Sequence, residues 1–198
     1  MNLEMYVKKY IKNNKKSLNN YLKKYSSLKN IEDAIKFGAM AKLPNENKHP
    51  HQRRLKVDIM EVVKNRLLLE VDKIKKCTSF EELIKIVENC KESGFGELAI
   101  YDTALRIGSN INIYPEKVYL HAGTEKGAKE LGLKFSNRVI EVNELPEELK
   151  KLKPYEIEDF LCIYKDEFKN IIKRKYIKEK FVKVTNYKII GYNYINNK

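Results

Sequence analysis

Tryptophan is absent from the 198-residue sequence, and cysteine, histidine, proline and glycine occur only three, three, five and eight times. The cysteines are odd in number and far apart, which argues against a disulfide framework or a cysteine-based zinc site. No apolar run approaches the ~18 residues of a membrane span, and the N-terminus lacks the apolar core of a signal peptide. We therefore expect a cytoplasmic protein that contacts no membrane.

Positive charge is what the sequence has in excess, with a formal net charge of +13 at pH 7. Residues 1–29 contain eight lysines and one acidic residue, and residues 165–198 contain ten basic and three acidic residues. The intervening chain is close to neutral. Basic ends favour nucleic acid, and DNA in particular, as the partner. A merely solvated lysine surface, or the drift of an AT-rich genome, explains the same composition equally well.

Apolar residues recur at helical spacing along most of the chain. The pattern predicts a mainly α protein, with minor β near 117–142 and a β-hairpin at the C-terminus. Three regions follow: a basic amphipathic N-terminal helical arm (1–29), a helical core domain (30–176) and a basic β-rich tail (177–198).

Local signals predict where several helices begin and end. Asn30 caps one short helix, and a longer helix is expected over 55–76. Ser79 begins the next helix through a capping box with Glu82. Gly108 is expected to end the helix that starts at residue 97, as a left-handed C-cap.

The stretch 79–108 resembles a helix–hairpin–helix motif, with the turn Gly94-Phe95-Gly96 between two helices. The resemblance implies that the glycines shape the turn, that Phe95 points inward and that exposed amides bind a DNA phosphate. The residues it assigns to nucleic-acid binding are Lys91, Ser93, Gly94, Phe95 and Gly96. A purely structural corner remains the alternative, because the stretch is acidic and Glu92 and Glu97 flank the turn.

Two further resemblances carry no activity. Helix–hairpin–helix units form the centre of a DNA glycosylase superfamily, but here Tyr119 falls near the place of its catalytic aspartate and Leu98 replaces its lysine. Over roughly residues 40–165, the segments HPHQRR, YDTALRIG and PEKVYLHAGTEKGA are similar to an uncharacterised bacterial protein family.

A polar loop before the long helix carries Lys48, Arg53 and Arg54, which we expect to add phosphate contacts. The same loop holds His49 and His51, two residues apart, as in some metal sites. A third ligand of matching spacing is not visible in the sequence. We therefore predict no metal and no cofactor.

The leading hypothesis is a non-catalytic DNA-binding protein. The second is an enzyme acting on DNA or nucleotides, glycosylase- or nuclease-like, in which His49, His51, Asp102 and His121 converge. Structural interpretations compete with it: Asp102 and Arg106, spaced i,i+4, suit a surface ion pair, and His121 suits a hydrogen-bonded structural role. The third hypothesis is a protein-interaction module, in which the tyrosine-rich N-terminal helix binds a partner or a second copy.

Overall fold

The computed structural model describes residues 2–44 and 46–169, and this part of the chain is mainly helical, as the sequence predicts. The predicted C-terminal hairpin lies outside the described residues. Within them there are nine α-helices: α1 (Leu3–Asn13), α2 (Lys15–Ser26), α3 (Ile31–Ala39), α4 (Val57–Leu69), α5 (Val71–Lys75), α6 (Phe80–Asn89), α7 (Glu97–Asn110), α8 (Ala122–Glu130) and α9 (Pro154–Tyr164). None of these helices combines the length and the apolar character that crossing a bilayer needs.

The minor β structure is one antiparallel pair of two-residue strands, β1 (Val118–Tyr119) and β2 (Val139–Ile140). Both strands fall inside the region where the sequence predicts β structure. Val118 and Ile140 are paired and buried, so the strands attach the chain around α8 to the core.

The N-terminal region predicted as an arm packs into the body of the protein. Helix α2 packs against α7, and α1 packs against α2 and α9. Tyr10 and Tyr25 are fully buried, and Tyr6 is nearly so. The ring of Tyr10 meets Phe160 of α9 edge-on at 5.7 Å between centroids. These tyrosines are therefore core residues, and their rings are not available to stack on bases or to anchor a partner.

Helix α7 runs through the centre, and every residue from Ala99 to Ser109 is buried. The prediction that Gly108 ends this helix as a left-handed C-cap is wrong, because α7 continues to Asn110 and the left-handed residue is Asn112, with φ of 58°. Gly108 is needed for close approach instead, since a Cβ there would overlap the carbonyl oxygen of Ile113. The predicted helix over 55–76 is also interrupted, because α4 and α5 are separated at Glu70.

Predicted helix starts are confirmed where a side chain caps them. The side chain of Asn30 accepts a hydrogen bond from the amide of Asp33 at 2.8 Å, at the start of α3. Ser79 Oγ accepts one from the amide of Glu82 at 3.2 Å, at the start of α6. Each cap pairs one of the amides that a helix start leaves without an intrahelical partner.

A buried carboxylate joins the N-terminal helices to α9. Glu156 has no exposed surface and accepts hydrogen bonds from Lys15 Nζ at 3.0 Å, Asn19 Nδ2 at 3.0 Å and the amide of Lys153 at 2.9 Å. Burial by itself would raise the pKa of Glu156, but these three donors outweigh it and lower the pKa below the ordinary value.

We predict that Glu156→Gln lowers the free energy of unfolding at pH 7 by about 1–3 kcal/mol, because a buried ionic acceptor is lost. A carboxylate with a lowered folded-state pKa stabilises above its unfolded pKa and loses that contribution as the pH falls through the folded pKa. The difference between wild type and variant should therefore shrink below about pH 5 in urea titrations. Glu147→Gln, at an exposed ion pair with Lys150, is the control and should change neither stability nor its pH profile. A difference between wild type and Glu156→Gln that stays constant down to acidic pH would contradict the prediction.

Candidate functional site

Helix α7 presents Asp102 and Arg106 to the interior. The sequence allowed a surface ion pair for these two residues, but the side chain of Arg106 is 1% exposed and that of Asp102 is 11% exposed. Their closest nitrogen and oxygen atoms are 3.6 Å apart. The interpretation as a surface pair is therefore wrong. The spacing was recognised correctly, but it does not reveal that α7 is surrounded by other helices.

The buried guanidinium of Arg106 is held from three directions. Its Nε donates to the hydroxyl of Tyr21 at 2.6 Å, Nη1 donates to the carbonyl of Gly38 at 3.2 Å, and Nη2 donates to Gln52 Oε1 at 2.6 Å. Burial opposes its charge, but the nearby tyrosines and Asp102 raise its pKa, so Arg106 stays protonated.

Gln52 connects this network to the polar loop. Its Nε2 donates to Asp102 Oδ2 at 2.7 Å while its Oε1 accepts from Arg106. The loop turns here through a short 3₁₀ helix, Pro50–Gln52, and the amide of His49 donates to the carbonyl of Ala41 at 2.8 Å. The turn that carries His49 and His51 is therefore attached to the core at both of its ends, through the amide of His49 and the side chain of Gln52.

The turn brings His49 and His51 to Asp102. His51 Nδ1 is 3.0 Å from Asp102 Oδ2, and the rings of His49 and His51 meet edge-on with centroids 4.7 Å apart. The ring of His49 also packs on Tyr21, at 4.8 Å between centroids. One potential metal-ligand atom from each of His49, His51 and Asp102 lies within 4.8 Å of the others. We call these three residues the His-Asp cluster.

The surroundings give the three groups different proton affinities. Burial, reinforced by the charge of Arg106, lowers the pKa of His49 to about 4. The hydrogen bond with Asp102 raises the pKa of His51. Burial alone would raise the pKa of Asp102, but the hydrogen bond from His51 and the Arg106 charge lower it to about 2. At neutral pH, His49 is therefore uncharged and Asp102 is ionised.

The His-Asp cluster lines a cleft of about 270 Å³ between α2, α7 and α9. Glu158 and Asp159 of α9 line the same cleft. Burial, together with the charges of Asp102 and Asp159, raises the pKa of Glu158 well above its ordinary value. Burial also raises the pKa of Asp159, whose Oδ2 accepts a hydrogen bond from the hydroxyl of Tyr10 at 2.9 Å. The cleft thus combines an unprotonated imidazole, His49, with a carboxyl group, Glu158, whose pKa is raised toward the protonated form.

A second, larger cleft of about 600 Å³ adjoins the first, and His51 and Glu158 line both. Its wall contains the first turns of α7 and α8 and the side chain of Arg54. The hairpin glycines, Gly94 and Gly96, also line it. The hairpin and the His-Asp cluster are therefore parts of one continuous concave surface.

The hairpin turn needs glycine at only one of its two glycine positions, because Gly96 has φ of −76°, which other residues adopt freely. Gly94 has φ of +91°, a conformation that favours glycine, and Phe95 is buried at 3% exposure. No side chain caps the start of α7 at Gly96. The two flanking carboxylates are paired: Glu92 with Arg66 at 2.6 Å, and Glu97 with Arg138.

The opposite side of the hairpin is less suited to phosphate. There Glu88, Glu92 and Glu97 line a groove together with Lys91 and Ser93. Lys91 Nζ lies 3.4 Å from a carboxylate oxygen of Glu88, and the amide of Ser93 donates to Glu92 at 3.0 Å. Of the two sides, the one that faces Arg54 is favourable to an anion.

The three cations of the predicted basic loop differ in their exposure and contacts. Arg53 and Arg54 are exposed, and Arg54 lines the second cleft. Lys48 is half-buried and its Nζ donates to the carbonyl of Leu55 at 2.7 Å, so its ammonium group serves the loop's own structure.

His121 lies beside the His-Asp cluster without joining it. It lines the second cleft with His51, and its ring packs on Tyr101 at 4.8 Å between centroids. Neither ring nitrogen has a hydrogen-bond partner among the described residues, so the expectation of a hydrogen-bonded structural histidine is wrong. Burial lowers the pKa of His121. Tyr119, near the place of the glycosylase aspartate, packs against Phe80 at 5.6 Å.

Four residues of the site are missing from the sequence prediction: Tyr21, Gln52, Glu158 and Asp159. The adjacent acids Glu158 and Asp159 lie in the middle of a helix whose other residues, apart from Glu156, are apolar, a signal that could have identified them. Gln52 follows His51 directly, but nothing in the sequence indicates that its amide connects Asp102 to Arg106.

Comparison with protein-family models, curated proteins and solved structures gave no significant match. The function of this protein is therefore inferred from the site itself.

We predict that Arg106→Met lowers the free energy of unfolding by about 3–5 kcal/mol, because it leaves buried Asp102 and Gln52 without their cation. Arg53→Met, at an exposed arginine of the polar loop before α4, is the control and should change the free energy of unfolding by less than about 0.5 kcal/mol. Adding Asp102→Asn to Arg106→Met should recover part of the loss, as the unpaired charge is removed. Urea unfolding of wild type, the two single variants and the double variant measures these free energies. A loss below about 1 kcal/mol in Arg106→Met would contradict a structural role for the network.

Proposed function

We propose that this protein binds nucleic acid and hydrolyses a phosphodiester bond in it. The observation that carries the proposal is the position of His51, which lines both the cleft of the His-Asp cluster and the cleft of the hairpin. A strand held at the hairpin would reach the cluster along one surface. The proposal joins the DNA-binding hypothesis with the hypothesis of an enzyme.

The second cleft supplies groups suited to a phosphate. The first amides of α7 carry the partial positive charge of a helix N-terminus, and Gly96 leaves open space beside them. Arg54 adds a full positive charge from the adjacent wall. The pairing of Glu92 and Glu97 with arginines offsets the repulsion that these carboxylates would exert on phosphate.

The first cleft supplies groups suited to hydrolysis. The His-Asp cluster activates a water molecule, whose oxygen forms a bond to phosphorus while its proton passes to solvent. As the ester bond from phosphorus to the leaving oxygen breaks, Glu158 donates its proton to that oxygen, in keeping with its raised pKa. Water is consumed, one ester bond is cleaved, and Glu158 later regains its proton from solvent.

Phosphodiester hydrolysis is favoured over release of a base. The glycosylase mechanism needs a carboxylate that follows the hairpin, and Tyr119, near that place, is packed in an aromatic group with Phe80 and Tyr101. The acidic groups that line the clefts come instead from α7 and α9.

We predict that the purified protein cleaves end-labelled DNA or RNA oligonucleotides in the presence of divalent metal ions. His51→Gln and Asp102→Asn should slow cleavage by about 100-fold or more, because each removes a group that acts on the reacting water. Lys85→Gln, at an exposed lysine of α6, is the matched control and should cleave at the wild-type rate. Circular dichroism checks that each variant is folded.

Three outcomes would contradict this prediction: no cleavage of any single- or double-stranded substrate, cleavage that folded His51→Gln and Asp102→Asn retain in full, or alkali-labile sites without direct chain breaks. The last would indicate a glycosylase. Binding without cleavage would leave the protein as a non-catalytic DNA-binding module.

We also predict that Gly96→Val weakens oligonucleotide binding by about 10-fold while the protein stays folded, at a cost of about 1 kcal/mol in stability because valine is a poor N-cap residue for α7. A side chain there enters open space on the phosphate side, whereas at Gly94 it would approach Ile59 and strain a left-handed residue. Gly96→Ala, with one methyl group, should weaken binding less. Fluorescence anisotropy at several salt concentrations measures both variants, and wild-type binding should fall steeply with salt. Unchanged affinity in folded Gly96→Val would remove the hairpin from the binding surface.

A further inference from the structure

We infer that the His-Asp cluster is a binding site for one divalent transition-metal ion, with His49, His51 and Asp102 as its three protein ligands. The sequence argues against a metal because it shows only the His-Pro-His pair. The third donor comes from α7, 51 positions further along the chain than His51. Only the fold brings it to the loop.

The distances suit a metal ion. Ligand atoms around a tetrahedral ion with bonds of about 2.1 Å lie about 3.4 Å apart. The three donors already lie within 4.8 Å of one another. The remaining approach requires small rotations of the two imidazoles, of which His51 is 44% exposed and His49 is half-buried.

The carboxylate ligand is oriented by groups behind it. Gln52 and Arg106, which are not ligands themselves, both contact the same oxygen, Oδ2 of Asp102. We assign the other oxygen, Oδ1, to the metal. In protein metal sites, hydrogen bonds from neighbouring residues usually fix the orientation of the ligands in this way.

The charge of the cleft also suits a cation. Three carboxyl groups, from Asp102, Glu158 and Asp159, and one guanidinium, from Arg106, line it. Ionised Asp102 attracts a divalent ion, and a bound ion favours the ionised forms of Glu158 and Asp159.

The ligand types indicate the class of metal. Two imidazoles and one carboxylate suit Zn²⁺ and its first-row neighbours, whereas Mg²⁺ and Ca²⁺ prefer oxygen ligands alone. Three protein ligands leave a coordination position for water, as in catalytic rather than structural zinc sites. The catalytic role of this ion rests on the proposed function, because a bound metal lowers the pKa of its water and yields a nucleophile at neutral pH. Binding of the ion can be tested without that role.

The test is metal binding by the full-length chain after treatment with a chelator. We expect isothermal titration with Zn²⁺ to give one site per chain, and Zn²⁺ to raise the melting temperature. His49→Ala and Asp102→Asn should each weaken Zn²⁺ binding by at least about 10-fold. His121→Ala is the matched control, since His121 lies in the neighbouring cleft beside Cys162 and outside the cluster. Its affinity for Zn²⁺ should equal that of wild type.

Removal of Asp102 can unfold the protein, so His49→Ala provides the decisive variant. Loss of Zn²⁺ binding in folded His49→Ala, with binding retained in His121→Ala, supports the site. Absence of Zn²⁺ binding, full binding in His49→Ala, or loss of binding in His121→Ala would overturn it. Zn²⁺ binding at the cluster without nucleic-acid cleavage refutes the proposed function alone. Cleavage that persists in chelator, with no Zn²⁺ bound, refutes the metal site alone.

Discussion

The buried charge of Arg106 is the constraint on which the rest of the site depends. A guanidinium with 1% exposure requires partners for its donors, and these come from three separate parts of the chain. Tyr21 contributes from α2, the carbonyl of Gly38 from α3, and Gln52 from the loop before α4. The side chain therefore fixes the positions of two helices and a loop relative to α7. Apolar packing alone, which is non-directional, would not select one such arrangement.

The network also converts an irregular loop into a rigid support. Residues 46–54 are polar and their regular structure is one short 3₁₀ helix, yet Gln52 is buried at 2% exposure and attached to both Asp102 and Arg106. His49 and His51 precede it on the same turn and are thereby held against α7. Function often resides on loops that a rigid scaffold positions. Here one amide side chain connects the loop to the scaffold.

The charges of the two clefts explain how the proposed activities fit together. Asp102, Glu158 and Asp159 line the cleft of the His-Asp cluster and its one arginine, Arg106, is buried, so by itself the cleft does not attract a phosphate. The adjoining cleft offers Arg54 and the start of α7, which attract one. A cation bound at the cluster would reverse the local field and allow a phosphate to approach from the second cleft. Substrate binding at the hairpin and metal binding at the cluster are, in this view, complementary requirements of a single reaction.

The resemblance of 79–108 to a helix–hairpin–helix motif implied the inward position of Phe95, and the sequence alone determined the rest of the local structure: the mainly helical class, the caps at Asn30 and Ser79, the turn at Gly94 and Gly96, and β structure near 117–142. These features depend on residues close together in the chain, so periodicity and capping patterns reveal them. Only the tertiary structure decided that Asp102 and Arg106 are buried, that Gln52 bridges them, that Glu158 and Asp159 face the same cleft, and that His121 lies outside the cluster. Each of these features depends on which helix faces surround α7. Packing between segments tens of residues apart sets that arrangement, and the local spacing of residues carries no information about it.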